Sequence, residues 1–309
     1  MTPAMAIDAV RDAFRADGHG RTQVPPVINL DVPSGPGEFH IKTAHIAGVP
    51  HIAVKVASGF YENAARGLPS GSGLMAVFDA STGLPAALLL DNGFLTDLRT
   101  GAAGAVAAEV LAPRSIRTVG VIGSGVQARF QVRCLHHVRE FSRLVAWSPT
   151  LRHLEGYCEE MRREGYEVTA AESPEAVCAA ADLVITTTPS RRPLVRAAWL
   201  RPGMHVTAVG ADSPGKGELD PECLGRADLV CVDRRSQCAS FGELAPAVQR
   251  GLLKDSDAVE LGEIVAGRRQ GRVAAGQLTI ADLTGVGFQD TAIASAACIA
   301  HHASRGHYE

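Results

Sequence analysis

The run Thr118-Val-Gly-Val-Ile122 passes without a break into Gly123-Ser124-Gly125-Val126-Gln127-Ala128. A short, continuously apolar run of this kind is a strand buried on both faces. The GxGxxA pattern after it suits the cradling of a pyrophosphate. Gly123 permits the tight turn, Gly125 lets the backbone approach phosphate oxygens, and Ala128 lets the next helix pack close to the strand. The start of that helix, near Val126, supplies N–H donors and a partial positive charge. Glycine spacing alone is weak evidence. The strand before it, the helix after it and four further strand–helix units make it strong.

The chemistry extends to the neighbouring strand ends. The second strand, Leu144–Trp147, ends at Ser148, where NAD sites carry a carboxylate for the ribose hydroxyls. Ser148 does not repel a 2′-phosphate, and Thr150 and Arg152 follow it closely. The cofactor is therefore NAD or NADP, with a lean to NADP; a loop end without preference is the plain alternative. Thr187, Val209 and Gly210 close two further strands and join the candidate cofactor residues. Three polar residues also stand where such a residue needs a reason. Lys55 lies mid-strand in HIAVKVASGF, Arg99 lies at the start of a long helix, and Asp212 follows the strand HVTAVG. Asp212 is expected at the nicotinamide end, because ligands bind at the carboxyl ends of such strands. The plain alternatives are an outward lysine, a helix-start arginine and a turn cap.

These residues need a scaffold, and the pattern supplies two kinds. Met1–Phe14 reads as an amphipathic helix. Glu38–His45 and His51–Val56 alternate like strands around Gly48 and Pro50, which predicts a hairpin. Leu74–Asp79 and Ala86–Leu90 are further strands, and Leu95–Leu111 is a helix with Thr96 as its N-cap. Thr118–Ile122, Leu144–Trp147, Leu183–Thr187, His205–Val209 and Leu229–Val232 alternate instead with helical stretches. That alternation predicts an α/β fold, a Rossmann-type doubly wound parallel sheet inserted in an α+β domain.

Composition excludes several classes. The 309 residues are 46% hydrophobic and 20% charged, and 30 basic against 33 acidic residues leave a net charge of −3. This is too apolar for disorder and too neutral for a dedicated nucleic-acid binder. No apolar stretch approaches the ~18 residues that cross a bilayer. Seven scattered cysteines without close pairs read as reduced thiols, which places the protein in the cytoplasm. His40 and His45 point to opposite faces of one strand, and the pairs His136-His137 and His301-His302 lack a third ligand. No metal is expected.

Taken together, Lys55-Val-Ala-Ser-Gly, Gly67-Leu-Pro-Ser70, Leu95-Thr-Asp-Leu-Arg-Thr100, the glycine loop and Gly210-Ala-Asp-Ser-Pro-Gly-Lys-Gly-Glu-Leu219 resemble the ornithine cyclodeaminase/mu-crystallin family. The segment Leu278-Thr-Ile-Ala-Asp-Leu-Thr-Gly285, running on to Asp290, resembles that family's ending. The resemblance implies a homodimer. It also implies a discontinuous substrate-binding and dimerisation domain (1–112 plus 286–309) with an NAD(P)-binding domain (113–285) inserted. By the same resemblance, Lys55 and Arg99 hold the substrate carboxylate and Asp212 acts on the amine or imine nitrogen. Ser70 helps position substrate or is merely a turn hydroxyl. These roles suit the side chains, since arginine offers a carboxylate a bidentate fork and an iminium nitrogen needs an anion or proton donor beside it.

Two departures bear on specificity. Many members carry Pro-Pro-Arg, and here Pro25-Pro26-Val27 lacks the arginine. Lys42 appears where many members have an apolar residue or proline, a pattern that looks like the iminosuccinate reductase and ectoine-utilisation subgroup. Lys42 either replaces the missing cation or grips a second carboxylate. A leading strand common in the family is expected to be missing. The resemblance implies an imine reductase or amino-acid dehydrogenase, with an ornithine-type cyclodeaminase and a binding protein without turnover as alternatives.

Overall fold

The computed structural model describes residues 1–33 and 37–305. In chain order the elements are α1 (Pro3–Gly18), β1 (Thr22–Gln23), β2 (Ile28–Val32), β3 (Gly37–Ile46), β4 (His51–Gly59), β5 (Gly71–Asp79), β6 (Pro85–Leu89) and α2 (Phe94–Leu111). Then come β7 (Thr118–Ile122), α3 (Val126–His136), β8 (Arg143–Trp147), α4 (Leu151–Arg163), β9 (Glu167–Ala170), α5 (Pro174–Ala180), β10 (Leu183–Thr186) and β11 (His205–Ala208). The chain ends with α6 (Glu222–Arg226), β12 (Leu229–Val232), α7 (Arg235–Cys238), α8 (Leu244–Gln249), β13 (Val259–Glu260), α9 (Leu261–Val265), β14 (Thr279–Asp282) and α10 (Gly287–Arg305). Two compact units result. One joins Met1–Arg99 to the chain from Val286 onward, and the other is Thr100–Gly285.

The first unit is built on an antiparallel sheet of order β1-β3-β4-β5-β6, with β2 also on β3. Strand alternation sorts its side chains onto two faces. One face carries Lys42, Ala44, Ala53, Lys55, Met75 and Val77, all buried, and α10 packs on β3, β4 and β5. The small residues Gly287, Thr291 and Ser295 recur every fourth position of α10. Thr291 Oγ1 accepts from Ala53 N (3.2 Å) and donates to Ala44 O (2.8 Å), and Ser295 Oγ meets His51 Nδ1 at 2.9 Å. Phe14 of α1 closes this core edge-on against Phe288 at 5.1 Å. The opposite face sets Ile28, Ile41, Val56 and Leu74 in one cross-strand row. Ile28, Leu30, Leu88 and Leu90 are exposed.

The second unit is an eight-stranded parallel sheet of order β13-β12-β14-β11-β10-β7-β8-β9. Alternate strand residues fill two cores. Val119, Val121, Leu144, Leu183 and Ile185 pack with α3 and α4, while Ile122, Val184, Val206 and Ile280 pack with α5, α6 and α8. The chain leaves β7 towards β8 on one side and returns through β10 on the other. The ends of β7 and β10 thus form the switch point where such sheets hold ligands.

One expectation needs correction. Thr96 lies inside α2, and Asp91 receives the helix-start donors instead, Leu95 N at 2.6 Å and Gly93 N at 3.4 Å. Asp91 precedes the turn, so its carboxylate faces the first free N–H groups. The segment Thr279–Asp282, read only as part of a motif, is a central strand between β11 and β12. By packing, α2 from Thr100 onward groups with the second unit. Ala108 and Ala112 belong to a core cluster of that unit, and Gln131 and Arg139 donate to the carbonyls of Thr100 and Ala108. Residues 306–309 of the expected first domain lie outside the described residues. All seven cysteines are buried and unpaired. Among the described residues no helix is long and apolar enough to cross a membrane.

The α10 contact is tight at its start, where a Cβ on Gly287 would stand 2.2 Å from Thr43 O. Gly287→Ala is expected to destabilise the first unit by about 1–3 kcal/mol, the usual overpacking cost. Urea unfolding checks this, and an unchanged midpoint would show that α10 sits more loosely than described.

Candidate active site

Four charged side chains meet inside the first unit. Lys42 of β3 pairs directly with Lys55 of β4 in the ladder, a spacing at which like charges repel. Lys55 Nζ lies 3.0 Å from Asp290 Oδ2, and Arg99 Nε lies 2.9 Å from Asp290 Oδ1. Arg99 Nη1 also donates to Gln289 Oε1 at 2.9 Å. Asp290 and Gln289 lie in the first turn of α10, which the Gly287 contact presses onto the sheet. All five side chains are buried.

Burial lowers the Lys55 pKa from 10.5 to about 7; Asp290 opposes the fall, and Arg99 and Lys42 add to it. Burial alone would raise the Asp290 pKa, but Lys55, Arg99 and Lys42 hold it below its usual value. Three cationic groups thus surround one carboxylate.

The second unit carries the glycine loop at the switch point. Gly123 has φ 117°, and a Cβ there would stand 2.6 Å from Thr187 Oγ1, so a side chain fits neither the backbone nor the space. Gly125, the N-cap of α3, has no side-chain cap, and a Cβ on it would meet nothing within 4 Å. That leaves an open approach to the helix-start N–H groups. Ala128 is buried under the sheet, as close packing requires. Arg129 donates to Ser124 O (2.8 Å) and Gly125 O (2.9 Å) and reaches Glu160 Oε2 at 2.7 Å. Among the described residues Thr187 Oγ1 is buried without a hydrogen-bond partner. The open cradle and this unused hydroxyl fit a bound dinucleotide.

Val126 is exposed and Gln127 half-buried in the first turn of α3. Ser148 Oγ accepts from Ser124 Oγ at 2.9 Å, so it braces the loop as well as ending β8. Thr150 and Arg152 are exposed at the start of α4. Val209 N is used in pairing with Thr186 O. The Gly210 N–H donates to Glu218 Oε2 at 2.8 Å.

Glu218 was not foreseen from sequence. Its carboxylate also accepts from Thr186 Oγ1 (2.7 Å), Thr188 N (2.6 Å) and Thr188 Oγ1 (2.7 Å). It therefore ties the ends of β10 and β11 together. Burial raises its pKa to about 7, against these donors. Asp212, two residues past Gly210, has a side chain 43% exposed and pairs with the buried Lys216 Nζ at 2.7 Å. Ser70 is half-buried before β5, and its carbonyl accepts from Phe60 N. The structure thus brings together Lys42, Lys55 and Arg99 and adds Asp290 and Gln289, which sequence reasoning missed. Their only signal was a polar pair in an otherwise small and apolar helix start.

A Rossmann-type sheet with a glycine loop at its switch point defines the class, a dinucleotide-binding α/β fold joined to a second unit with a buried cation cluster. The profile of the ornithine cyclodeaminase/mu-crystallin family matches residues 2–305, and the chain belongs to this family. An uncharacterized cyclodeaminase of Sinorhizobium fredii is 43% identical over 295 residues, covering 94% of this chain and 89% of that one. An archaeal alanine dehydrogenase dimer with bound NAD superposes with a TM-score of 0.91 at 33% identity, covering 99% of this chain and 93% of that one. The Δ1-pyrroline-2-carboxylate reductase of Thermococcus litoralis, in complex with NADH and L-proline, gives 0.93 at 29% identity, with 98% and 95% covered. The iminosuccinate reductase of Paracoccus denitrificans, in complex with NAD+, gives 0.87 at 32% identity, with 98% and 94% covered.

The Lys55 shift fixes a sign for stability. The folded chain releases this proton near pH 7 and the unfolded chain near 10.5, so the unfolded state binds more protons in between. The penalty is fully present below about pH 7, and stability rises from there towards 10.5. Denaturant unfolding across that window is expected to show the rise in the wild type and a smaller one in Lys55→Met. Equal slopes would mean that Lys55 is not buried as a strained cation.

Proposed function

We propose that the protein is a nicotinamide-dependent oxidoreductase acting on the C–N bond of a small α-imino or α-amino acid, with iminosuccinate, a dicarboxylate, as the favoured substrate. The observation that carries this reading is the buried grouping of Lys42, Lys55 and Arg99 about Asp290. In this reading Arg99 and Lys55 hold the α-carboxylate. Lys42, the cross-strand neighbour of Lys55, takes the distal carboxylate. Asp212, at the carboxyl end of β11, steadies the cationic nitrogen, and Lys216 holds its carboxylate in place. The bound cofactor supplies or accepts the hydride at the imine carbon. The expected division into a substrate and dimerisation domain and a cofactor domain belongs to the same proposal.

NAD(H) is the proposed cofactor form, since three related structures carry it. This reverses the lean to NADP drawn from Ser148, Thr150 and Arg152. A homodimer is proposed from the exposed apolar face of Ile28, Leu30, Leu88 and Leu90, which is larger than isolated surface leucines would make it. The similarity to a cyclodeaminase favours a second reading, in which ornithine loses ammonia with no net change in the cofactor. That substrate brings a distal ammonium, and Lys42 would repel it.

An absorbance assay separates the readings. With NADH, oxaloacetate plus ammonia is expected to drive net cofactor oxidation faster than pyruvate plus ammonia, and NADPH is expected to serve poorly. Proline and ammonia from ornithine without net cofactor change would establish the cyclodeaminase instead. Lys42→Met is expected to cost the dicarboxylate about 10-fold or more in kcat/KM, the scale of a charged hydrogen bond, with little effect on pyruvate. Equal losses on both substrates would remove the role given to Lys42. In solution the protein is expected to run as a dimer on calibrated size exclusion, and Ile28→Asp with Leu88→Asp to convert it to a monomer. A wild-type monomer would refute the role of that face.

A further inference from the structure

Gln289 is fully buried beside the cation cluster, and among the described residues its side-chain Nε2 has no hydrogen-bond partner. A buried amide donor without a partner is rare in a settled core and calls for an explanation. Its orientation follows from its neighbour. Arginine is a donor only, so the atom 2.9 Å from Arg99 Nη1 must be the amide oxygen. Nε2 is thereby presented as a donor.

The acceptors beside Gln289 Nε2 already face other groups. The two oxygens of Asp290 face Lys55 Nζ and Arg99 Nε. Gln289 Oε1 takes Arg99 Nη1. Lys42 adds another cation across the ladder from Lys55. A group completing this set must accept hydrogen bonds and carry negative charge, and a carboxylate does both.

We propose that Gln289 is a further substrate-binding residue, with Nε2 donating to the carboxylate and Oε1 setting the guanidinium of Arg99 on the same anion. The proposal rests on the reading of this cluster as an imino-acid carboxylate site. Gln289 and Asp290 act as adjacent clamps on one arginine, taking Nη1 and Nε and leaving the outer Nη edge for the ligand. The small contact of Gly287 with Thr43 fixes the helix start that carries them.

Two substitutions separate the donor from the clamp. Gln289→Glu keeps an acceptor for Arg99 and replaces the donor with a negative charge. Gln289→Met removes both and keeps the length. Both are expected to raise KM for the imino acid formed from oxaloacetate and ammonia by about 10-fold or more, with KM for NADH unchanged within twofold. Glu is expected to be the worse of the two, because it repels the carboxylate.

Oxalate, which the cofactor cannot reduce, gives a readout free of turnover. It is expected to raise the melting temperature of the wild type, with about 10-fold weaker apparent affinity in either variant. Unchanged KM and oxalate affinity in a folded variant would overturn the role of Gln289. If the wild type reduces no imino acid but binds oxalate in a Gln289-dependent way, the carboxylate site stands and the reductase reading falls. If the wild type neither turns over nor binds oxalate, both fall. If Met fails to fold, Glu alone decides the donor role.

Discussion

The buried carboxylate of Asp290 is the contact on which the first unit's chemistry depends. Without it, Lys55 and Arg99 would lose the buried carboxylate they share, a loss that costs several kcal/mol. With it, Lys55 and Arg99 are held from two sides, and the Lys55 proton sits near neutrality. In the proposed reading the cluster serves as a receptor for a further anion, with Asp290 holding Lys55 and Arg99 in place. The helix that carries Asp290 earns its position through Gly287, Thr291 and Ser295, each small enough to let α10 lie close on the sheet.

A related logic governs the second unit. There the candidate anion-binding element is backbone, the loop from Gly123 to Ala128, and the fixing groups are side chains at a distance from it. Arg129 holds loop carbonyls, Ser148 meets Ser124, and Glu218 joins the ends of β10 and β11 through four donors. The buried Glu243 accepts from the N–H groups of Glu218 and Leu219. Its pKa is raised by burial and by the nearby carboxylates of Asp282 and Glu218. Buried acids thus replace the hydrogen bonds that the strand ends lose where the sheet stops, and they keep Asp212 on a defined loop.

Much of this was legible because local pattern and buried position coincide. Thr118–Ile122 and Leu229–Val232 read as apolar runs and are strands with those bounds. The glycine loop carries its meaning in its own spacing. Lys42 and Lys55 were placed on neighbouring strands by alternation alone, and the register sets them opposite. What escaped was made by long-range contact. Gln289 and Arg99 are 190 residues apart in sequence, and nothing local in Val286–Ala292 says that its polar pair turns inward. Glu218 likewise looked like an ordinary motif residue until the fold put the strand ends of β10 and β11 against it. Thr96 was a plausible cap by type, but Asp91 reaches the helix start from the turn before it.

The account's central claim is that one buried anion organises these cations for the carboxylates of a small imino or amino acid. A crystal structure of the protein with NAD+ and L-aspartate tests it most directly. The account predicts one aspartate carboxylate on Arg99 and Lys55, the other on Lys42, and Asp290 still between Lys55 and Arg99. An aspartate bound elsewhere, with the Asp290 ion pairs closed and no carboxylate on the three cations, would contradict it.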